Sequence, residues 1–223
     1  MTDPQFNLDE LLKRSGNGPL EGMLVADFSR VLAGPYSTML LADLGAVVVK
    51  VETPNGEDTR RWKPPVRGED ATYYLSINRN KLDITLDFKN PEDLKLAKEL
   101  ASRADVMVEN FKPGGLNRFG LDYESVKAAN PNIVYASVTG FGRHNPMPGY
   151  DLLVQGLSGF MSVTGHPDGP ATRAGVAVFD VMTGLHTTIG ILAALQHRTR
   201  TGQGQRVETN LLSSALSDRK SVV

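Results

Sequence analysis

Short apolar runs alternate with helix-like segments along almost the whole chain, and this alternation restricts the fold more than any other feature. At the start, residues 23–28 (MLVADF) and 46–52 (AVVVKVE) have the length and composition of buried strands, with a helix predicted between them at 36–44. Buried strands joined through a helix favour parallel pairing. Further strands are predicted, in chain order, at 81–87, 105–109, 133–139 and 205–210. The sequence therefore predicts an α/β fold: a Rossmann-like, open, mainly parallel sheet flanked by helices.

Helix and loop signals complete this prediction. Further helices are expected in three places: 91–103, where Asn90 is the N-cap, 123–129, and 151 to about 160. Residues 53–74 show no regular period and contain the only tryptophan, and a long loop of this kind is more often functional than accidental. The loop 29–35 holds one glycine where a dinucleotide-binding fold has three. This difference counts against a module that only binds a nucleotide such as NAD.

Charge and composition exclude several classes of function. The 223 residues carry a formal net charge of -1, so no basic surface for nucleic acid is expected. The chain has no cysteine and its four histidines are scattered, which argues against a metal centre. The N-terminus lacks the apolar core of a secretory signal, and the apolar run 182–195 is too short to span a bilayer. We therefore expect a cytoplasmic protein with no membrane partner.

One carboxylate occupies a position that attracts attention before any resemblance is considered. Val176 and Val178 predict a short strand that leads through Phe179 and Asp180 into a long apolar helix. A helix N-terminus presents free N–H groups and the positive end of the helix dipole, so it favours a negative charge. Asp180 could therefore be an ordinary N-cap or an ionised nucleophile, and these residues alone leave both roles open.

Several short motifs occur together in a fixed order. They are RVLAGP at 30–35, DLGA with the following KVE at 43–52, NRNK at 78–81, VENFKPG at 108–114, PGYD at 148–151 and TGQGQ at 201–205. Together they resemble the class III CoA-transferases, the family of formyl-CoA transferase and carnitine CoA-transferase, which also contains the 2-methylacyl-CoA racemases. The resemblance extends from about Pro19 to Ser214, which is nearly the whole chain.

This resemblance implies an activity. Such enzymes transfer coenzyme A from an acyl-CoA donor to a small carboxylic acid through an aspartyl-CoA thioester, with CoA as a substrate and without a metal. The family nucleophile is an aspartate at the start of the helix that precedes the TGxGQ motif. Asp180 occupies this position, so the resemblance favours its catalytic role. Backbone N–H groups at the start of that helix are expected to stabilise the oxyanion.

The resemblance also assigns roles to other residues. CoA-binding positions are matched by Val31, Leu32, Ala33, Leu86, Lys89, Asn110, Phe111 and Arg118. Positions with a catalytic role or near the acceptor are matched by Tyr150, Asp151, Trp62 and Tyr73. Formyl-CoA transferase has a catalytic glutamine where this chain has Leu32. Simpler roles are equally compatible with the sequence: solvated cations for Lys89 and Arg118, core packing for Phe111, and loop anchoring for Trp62 and Tyr73.

Three arginines are candidates for contact with an acceptor acid. Arg60, Arg61 and Arg173 could each pair with a dicarboxylate, although a solvated surface explains them equally well.

Tyr150 bears on the choice between transferase and racemase. Racemases of the family have a His-Asp pair where this chain has Tyr150 and Asp151, and the histidine is a proton-transfer base. A phenol with a pKa of about 10 is a poor base at neutral pH, which favours a transferase over a 2-methylacyl-CoA racemase-like enzyme.

The family pattern also suggests how the chain is organised. Family members are about twice as long and form interlocked homodimers. We expect residues 1–18 to be a flexible arm, 19–216 to be the N-terminal part of the CoA-transferase large domain and 217–223 to be a divergent tail. The small domain is expected to be absent, so an inactive, truncated CoA-binding fragment is the alternative to an active enzyme.

Overall fold

A six-stranded sheet forms the centre of the computed structural model, which describes residues 10 and 13–217. Its strands are β1 (Leu24–Asp27), β2 (Val47–Glu52), β5 (Lys81–Thr85), β6 (Val106–Glu109), β7 (Val134–Thr139) and β8 (Arg206–Asn210). Two short strands, β3 (Val66–Arg67) and β4 (Asp70–Ala71), form a separate antiparallel pair. Most of the predicted arm (1–9 and 11–12) and most of the predicted tail (218–223) lie outside the described residues.

The strand order is β5-β2-β1-β6-β7-β8, and every neighbouring pair is parallel. Ala26 of β1 lies opposite Val49 on one side and Met107 on the other. The order reverses between β1 and β6, as in doubly wound folds, and the crevice beyond the carboxyl ends of these two strands is the usual ligand site. The prediction of a Rossmann-like, mainly parallel sheet is therefore confirmed.

Seven α-helices belong to the described part of the chain. They are α1 (Ala33–Asp43), α2 (Thr72–Ile77), α3 (Pro91–Arg103), α4 (Tyr123–Ala129), α5 (Asp151–Leu157), α6 (Val178–Thr201) and α7 (Leu211–Ala215). Short 3-10 turns occupy Asp58–Arg61, Asn117–Phe119 and Phe160–Val163. Helices α3 and α4 have the predicted bounds, and the Asn90 side chain accepts a hydrogen bond from the Glu92 N–H as the expected N-cap.

Both faces of the sheet are buried, because successive side chains of each strand enter different cores. Val49 and Met107 pack with Leu100 of α3 in one cluster. Val48 packs with Ile191 of α6 in a second cluster, on the opposite face. This double burial explains the continuous apolar runs in the sequence. A third, smaller cluster joins α5, α6 and α7 near the carboxyl ends of the strands.

The strand predicted in front of Asp180 is wrong. The segment around Val176 is irregular, α6 begins at Val178, and Asp180 is the third residue of that helix rather than a strand-end residue. The Phe179 ring packs edge-on against Phe160 at 5.2 Å, and Asp151 binds N–H groups at the helix start. These tertiary contacts outweigh the strand preference of the two valines.

Three other predictions need adjustment. Residues 53–74 are more ordered than expected, because they contain a 3-10 turn, the β3–β4 pair and the start of α2. Helix α5 ends at Leu157, not near 160. Helix α6 has 24 residues and is the one described helix that could span a membrane by length and composition, with a mean hydropathy of 1.5 in its most apolar window. Core helices of globular proteins meet the same criterion, and one face of α6 packs on the sheet.

Candidate active site

Asp180 lies in the first turn of α6, and the start of this helix is held by Asp151. The N-cap residue Ala177 has no side chain that can accept a hydrogen bond. Instead, Asp151 Oδ2 accepts hydrogen bonds from the N–H groups of Phe179 at 2.7 Å and Asp180 at 3.1 Å. Asp151 is the first residue of α5 and is only 8% exposed. A buried carboxylate from a neighbouring helix therefore replaces the missing cap.

Gln155 connects Asp151 to the segment that precedes α6. The Gln155 side-chain amide donates to Asp151 Oδ1, and its oxygen accepts from the Ala174 N–H at 2.8 Å. The turn before Asp151 is fixed as well, because Gly140 and Gly149 are in backbone contact and a Cβ on either would overlap the other. These contacts place Asp151 beside the end of β7 and over the start of α6.

The Asp180 carboxyl group is half-buried and electrostatically unusual. Burial, followed by the negative charge of Asp151, raises the pKa of Asp180 to about 7. Near neutral pH this carboxyl group therefore exists in both protonation states. A carboxylate with a raised pKa is also more basic, and hence a better nucleophile, than an ordinary one.

Tyr73 and Trp62 lie on the same side of the molecule as Asp180. Their rings are in contact, with centroids 5.1 Å apart. Burial and then the charges of Asp180, Glu57 and Asp151 raise the pKa of Tyr73 to about 12. The Tyr73 hydroxyl consequently keeps its proton and can donate a hydrogen bond, while the contact with Trp62 also serves the loop-anchoring role.

Tyr150 does not join this group through its side chain. It is 67% exposed and lines an apolar surface patch with Leu152, Leu153 and Leu157 of α5. Its backbone forms the N-cap position of α5. The structure thus brings together Asp180, Asp151, Tyr73 and Trp62, and leaves Tyr150 outside.

The loop between β1 and α1 is fixed in an uncommon conformation. Val31 has a φ of 69°, in the left-handed region that β-branched residues rarely adopt. Asn110, beyond the end of β6, accepts from the Arg30 N–H at 2.9 Å and donates to the Arg30 carbonyl at 2.6 Å. The Val31 N–H points to Glu57 Oε1 at 3.4 Å. Strain held by such anchors is typical of preorganised binding loops.

The first residue of α1, which directly follows this loop, contacts the helix that carries Asp180. The Ala33 carbonyl lies against Gly184 of α6, where a Cβ would be only 2.7 Å from the carbonyl oxygen. Gly184 is one helical turn beyond Asp180. Leu32 and Ala33 are themselves buried. Of the predicted CoA-binding residues, Ala33 is therefore close to the start of α6, and Val31 and Leu32 directly precede it in the chain.

A buried charge network lies beneath the loop, and sequence reasoning missed it. Burial would raise the pKa of Asp27, but Lys81, Lys50 and the hydroxyls of Ser29 and Thr38 lower it to about 2. Lys81 Nζ is 3.1 Å from Asp27 Oδ2. Two charged residues within apolar runs were the signal in the sequence: Asp27 near the end of MLVADF and Lys50 inside AVVVKVE.

Lys50 links this network to the loop. Its Nζ donates to the Ser29 carbonyl at 2.9 Å and lies 3.6 Å from Glu57 Oε2. Both side chains are almost fully buried. Lys50 thus binds the loop at the Ser29 carbonyl, and Glu57 binds it at the Val31 N–H.

The remaining predicted CoA-binding residues follow β5 and β6. Leu86 is buried and Phe111 is partly buried in the same cluster, so the core-packing role of Phe111 is real and compatible with a binding role. The Arg118 guanidinium lies 4.5 Å from the centroid of the Phe119 ring, and Lys89 is exposed. Phe111 also borders a cleft of about 270 Å³ at the ends of β6 and β7. These residues thus lie near the carboxyl edge of the sheet, as expected for a ligand-binding strip.

The three arginines considered as partners of an acceptor acid differ in their ion pairs with carboxylates of this chain. Arg60 pairs with Glu52 at 2.8 Å, Asp70 at 3.1 Å and Asp83 at 3.3 Å, so its role is structural and the dicarboxylate role is wrong for it. Arg61 pairs with Asp58 at 3.0 Å in an exposed position. Arg173 is exposed and directly precedes Ala174, whose N–H binds Gln155.

The expectation of an oxyanion hole at the start of α6 is wrong for this conformation. The N–H groups of Phe179 and Asp180 are bound by Asp151. The N–H groups of Val178 and Val181 donate to backbone carbonyls at 2.9 and 3.2 Å.

Among residues 10 and 13–217, no group of three His, Cys, Asp or Glu side chains is placed to hold a metal ion.

Comparison with known proteins identifies the class. The family model described as "CoA-transferase family III" matches residues 20–220, and the chain belongs to this family. It is 50% identical over 204 residues to a succinate--glutarate CoA-transferase of Agrobacterium fabrum, covering 87% of this chain and 51% of the relative. It is 47% identical over 203 residues to the succinyl-CoA:glutarate CoA-transferase of Homo sapiens, covering 89% and 46%.

A solved structure supports the same classification. A CAIB/BAIF family protein from Brucella suis superimposes with a TM-score of 0.88 at 46% sequence identity, covering 92% of this chain and 56% of that one. The chain spans about half the length of the curated relatives it matches.

Proposed function

We propose that this chain carries the nucleophile of a CoA-transferase, with Asp180 as the residue that receives coenzyme A. Family membership supports transfer of CoA between acids in general. The observation that carries the assignment is the position of Asp180: half-buried, with a pKa raised to about 7, and close to a preorganised loop at the switch point of the sheet.

The proposed reaction balances with the residues at the site and the two substrates. The ionised Asp180 attacks the thioester carbonyl carbon, the C–S bond breaks, and CoA leaves as a thiolate, so that a mixed anhydride forms. The thiolate attacks the aspartyl carbonyl and expels the donor carboxylate, which leaves an aspartyl-CoA thioester. An acceptor carboxylate then repeats these two steps in reverse order. The products are the new acyl-CoA and the free Asp180 carboxylate.

We propose dicarboxylic acids as the substrate class. Two similar proteins are named for succinate or succinyl-CoA and glutarate. Arg173 precedes the segment that Gln155 ties to Asp151, so an acid bound near Asp180 could reach its guanidinium. The exposed position of Tyr150 offers no second proton-transfer base beside Asp180, and transfer is therefore proposed rather than racemisation.

The chemistry can be tested by mass spectrometry. The full-length protein is incubated with succinyl-CoA, quenched in acid and digested with trypsin. Cleavage after Arg173 and Arg198 gives the peptide 174–198, in which Asp180 is the one carboxylate side chain. We expect this peptide to carry CoA in a bond that hydroxylamine cleaves, and Asp180→Asn to carry none. CoA on another peptide, or an equal yield from Asp180→Asn, would contradict the proposal.

A further inference from the structure

We propose, on the basis of the proposed function, that Asp151 is a positioning residue. Its carboxylate, held by Gln155, fixes the start of α6 and lies beside Asp180, where it disfavours a second negative charge. This inference concerns Asp151 acting through Asp180, and Asp151 itself need not touch a substrate.

The first argument is geometric. An N-cap normally precedes the helix in sequence, yet Asp151 caps α6 from 28 residues away through the Phe179 N–H. Gln155 holds the other oxygen of the same carboxylate and also the Ala174 backbone. The position of Asp180 relative to α5 therefore depends on one carboxylate with two fixed oxygens.

The second argument is electrostatic. The groups that face Asp180 come from two other elements: Asp151 from α5 and Tyr73 from α2, with Glu57 acting on Tyr73. An ordinary N-cap in this place, such as serine or threonine, would be neutral. A carboxylate instead disfavours the ionised form of its neighbour.

The catalytic consequence follows from the change of charge in the reaction. Asp180 is negative when free and neutral when it forms an anhydride or a thioester. Repulsion from Asp151 acts on the free carboxylate and is absent in both covalent forms. Asp151 therefore shifts the equilibrium toward the covalent intermediates.

The test compares two helix-capping aspartates. Asp151→Asn keeps an oxygen that can accept the Phe179 and Asp180 N–H groups, but it removes the charge and the acceptor for the Gln155 amide group. Asp122→Asn is the matched control, because Asp122 caps α4 by accepting from the Ser125 N–H. For each full-length variant, the fraction of peptide 174–198 that carries CoA is measured from pH 5 to 9 at fixed succinyl-CoA and succinate. Thermal unfolding checks that both variants remain folded.

We expect Asp151→Asn to lower the CoA-bearing fraction about tenfold at pH 8 and to move its acid limb about one pH unit lower, with Asp122→Asn unchanged. An unchanged profile in Asp151→Asn, or equal changes in both variants, would overturn the proposal. If the wild type forms no thioester, the proposed function fails. The positioning role is then decided by a ¹³C carboxyl titration, in which Asp180 must titrate lower in Asp151→Asn than in the wild type.

Discussion

Two buried aspartates in this molecule have opposite properties. Asp27 is fully buried at the end of β1, yet its pKa is lowered to about 2, because two lysines and two hydroxyls offset the cost of burial. Asp180 is less buried, yet burial and then the negative charge of Asp151 raise its pKa to about 7, because here the charged neighbour adds to the cost of burial. Burial alone therefore does not identify a reactive carboxyl group. The partners decide whether the charge is stabilised for structure or destabilised for chemistry.

The largest effect is expected for transfer activity when Asp180 is replaced. Asp180→Asn should lower the rate of CoA transfer on the order of 10⁴-fold or more, as for other lost covalent nucleophiles. The protein should remain folded, since the variant removes an unfavourable charge. Steady-state assays with succinyl-CoA and glutarate, combined with circular dichroism, measure both. Transfer within tenfold of the wild-type rate would show that Asp180 is not the nucleophile.

Asp27 should respond in the opposite way. Asp27→Asn leaves Lys81 buried without its counter-charge and removes one of the two carboxylates near Lys50, so the free energy of unfolding should fall by about 3–5 kcal/mol. Urea unfolding monitored by circular dichroism measures this loss. Asp43→Asn is a suitable control, because Asp43 pairs with Arg79 in a more exposed position. Equal, small losses in both variants would mean that the buried network contributes little.

The pH dependence of stability should separate the two sites further. The folded pKa of Asp180 is above its unfolded value of 3.8, so unfolding releases a proton between about pH 4 and 7 and stability falls as the pH rises through this range. Asp180→Asn should therefore be more stable than the wild type at pH 8, by at most about 4 kcal/mol, and the difference should vanish near pH 4. The folded pKa of Asp27 is lowered, so its contribution is present above pH 4 and is lost as the pH falls toward 2.

The smallest effect is expected for the loop between β1 and α1. Asn110→Ala removes two hydrogen bonds that hold Arg30, so the strained loop should relax and the KM for succinyl-CoA should rise about tenfold with little change in kcat. Asn90→Ala is the control, since Asn90 caps α3 through the Glu92 N–H. It should lower stability by about 1 kcal/mol and leave KM unchanged. A fall in kcat with constant KM in Asn110→Ala would contradict a binding role for the loop.

Much of the fold could be predicted because local patterns and tertiary structure agree. The valine-rich run that contains β2 and the Asn90-Pro91 start of α3 specify their elements almost without context. Prediction failed where a distant contact decides the structure. The start of α6 depends on Asp151, which no local pattern reveals, and β-branched Val176 and Val178 point to a strand instead.

The site was predicted in the same partial way. The resemblance selected Asp180, Asp151 and Asn110 as site positions, but it could not show that Asp151 occupies the N–H groups expected to bind an oxyanion. Lys50 and Glu57 were missed, since each looks like an ordinary charged residue until the fold brings them 3.6 Å apart beneath the loop. The pairing of charges is a property of the fold, and the sequence reveals only unusual charges within apolar runs.

The most direct test is a titration of both aspartates in one sample. Selective ¹³C labelling of aspartate carboxyl groups, with Asp180→Asn and Asp27→Asn used for assignment, follows each carboxyl group by NMR from pH 9 downward. We predict that Asp180 gains its proton near pH 7, whereas Asp27 stays ionised in the folded protein toward pH 2. If Asp180 instead titrates with Asp27 at pH 4 or below, the two carboxylates do not differ as proposed, and the electrostatic basis for Asp180 as the nucleophile is wrong.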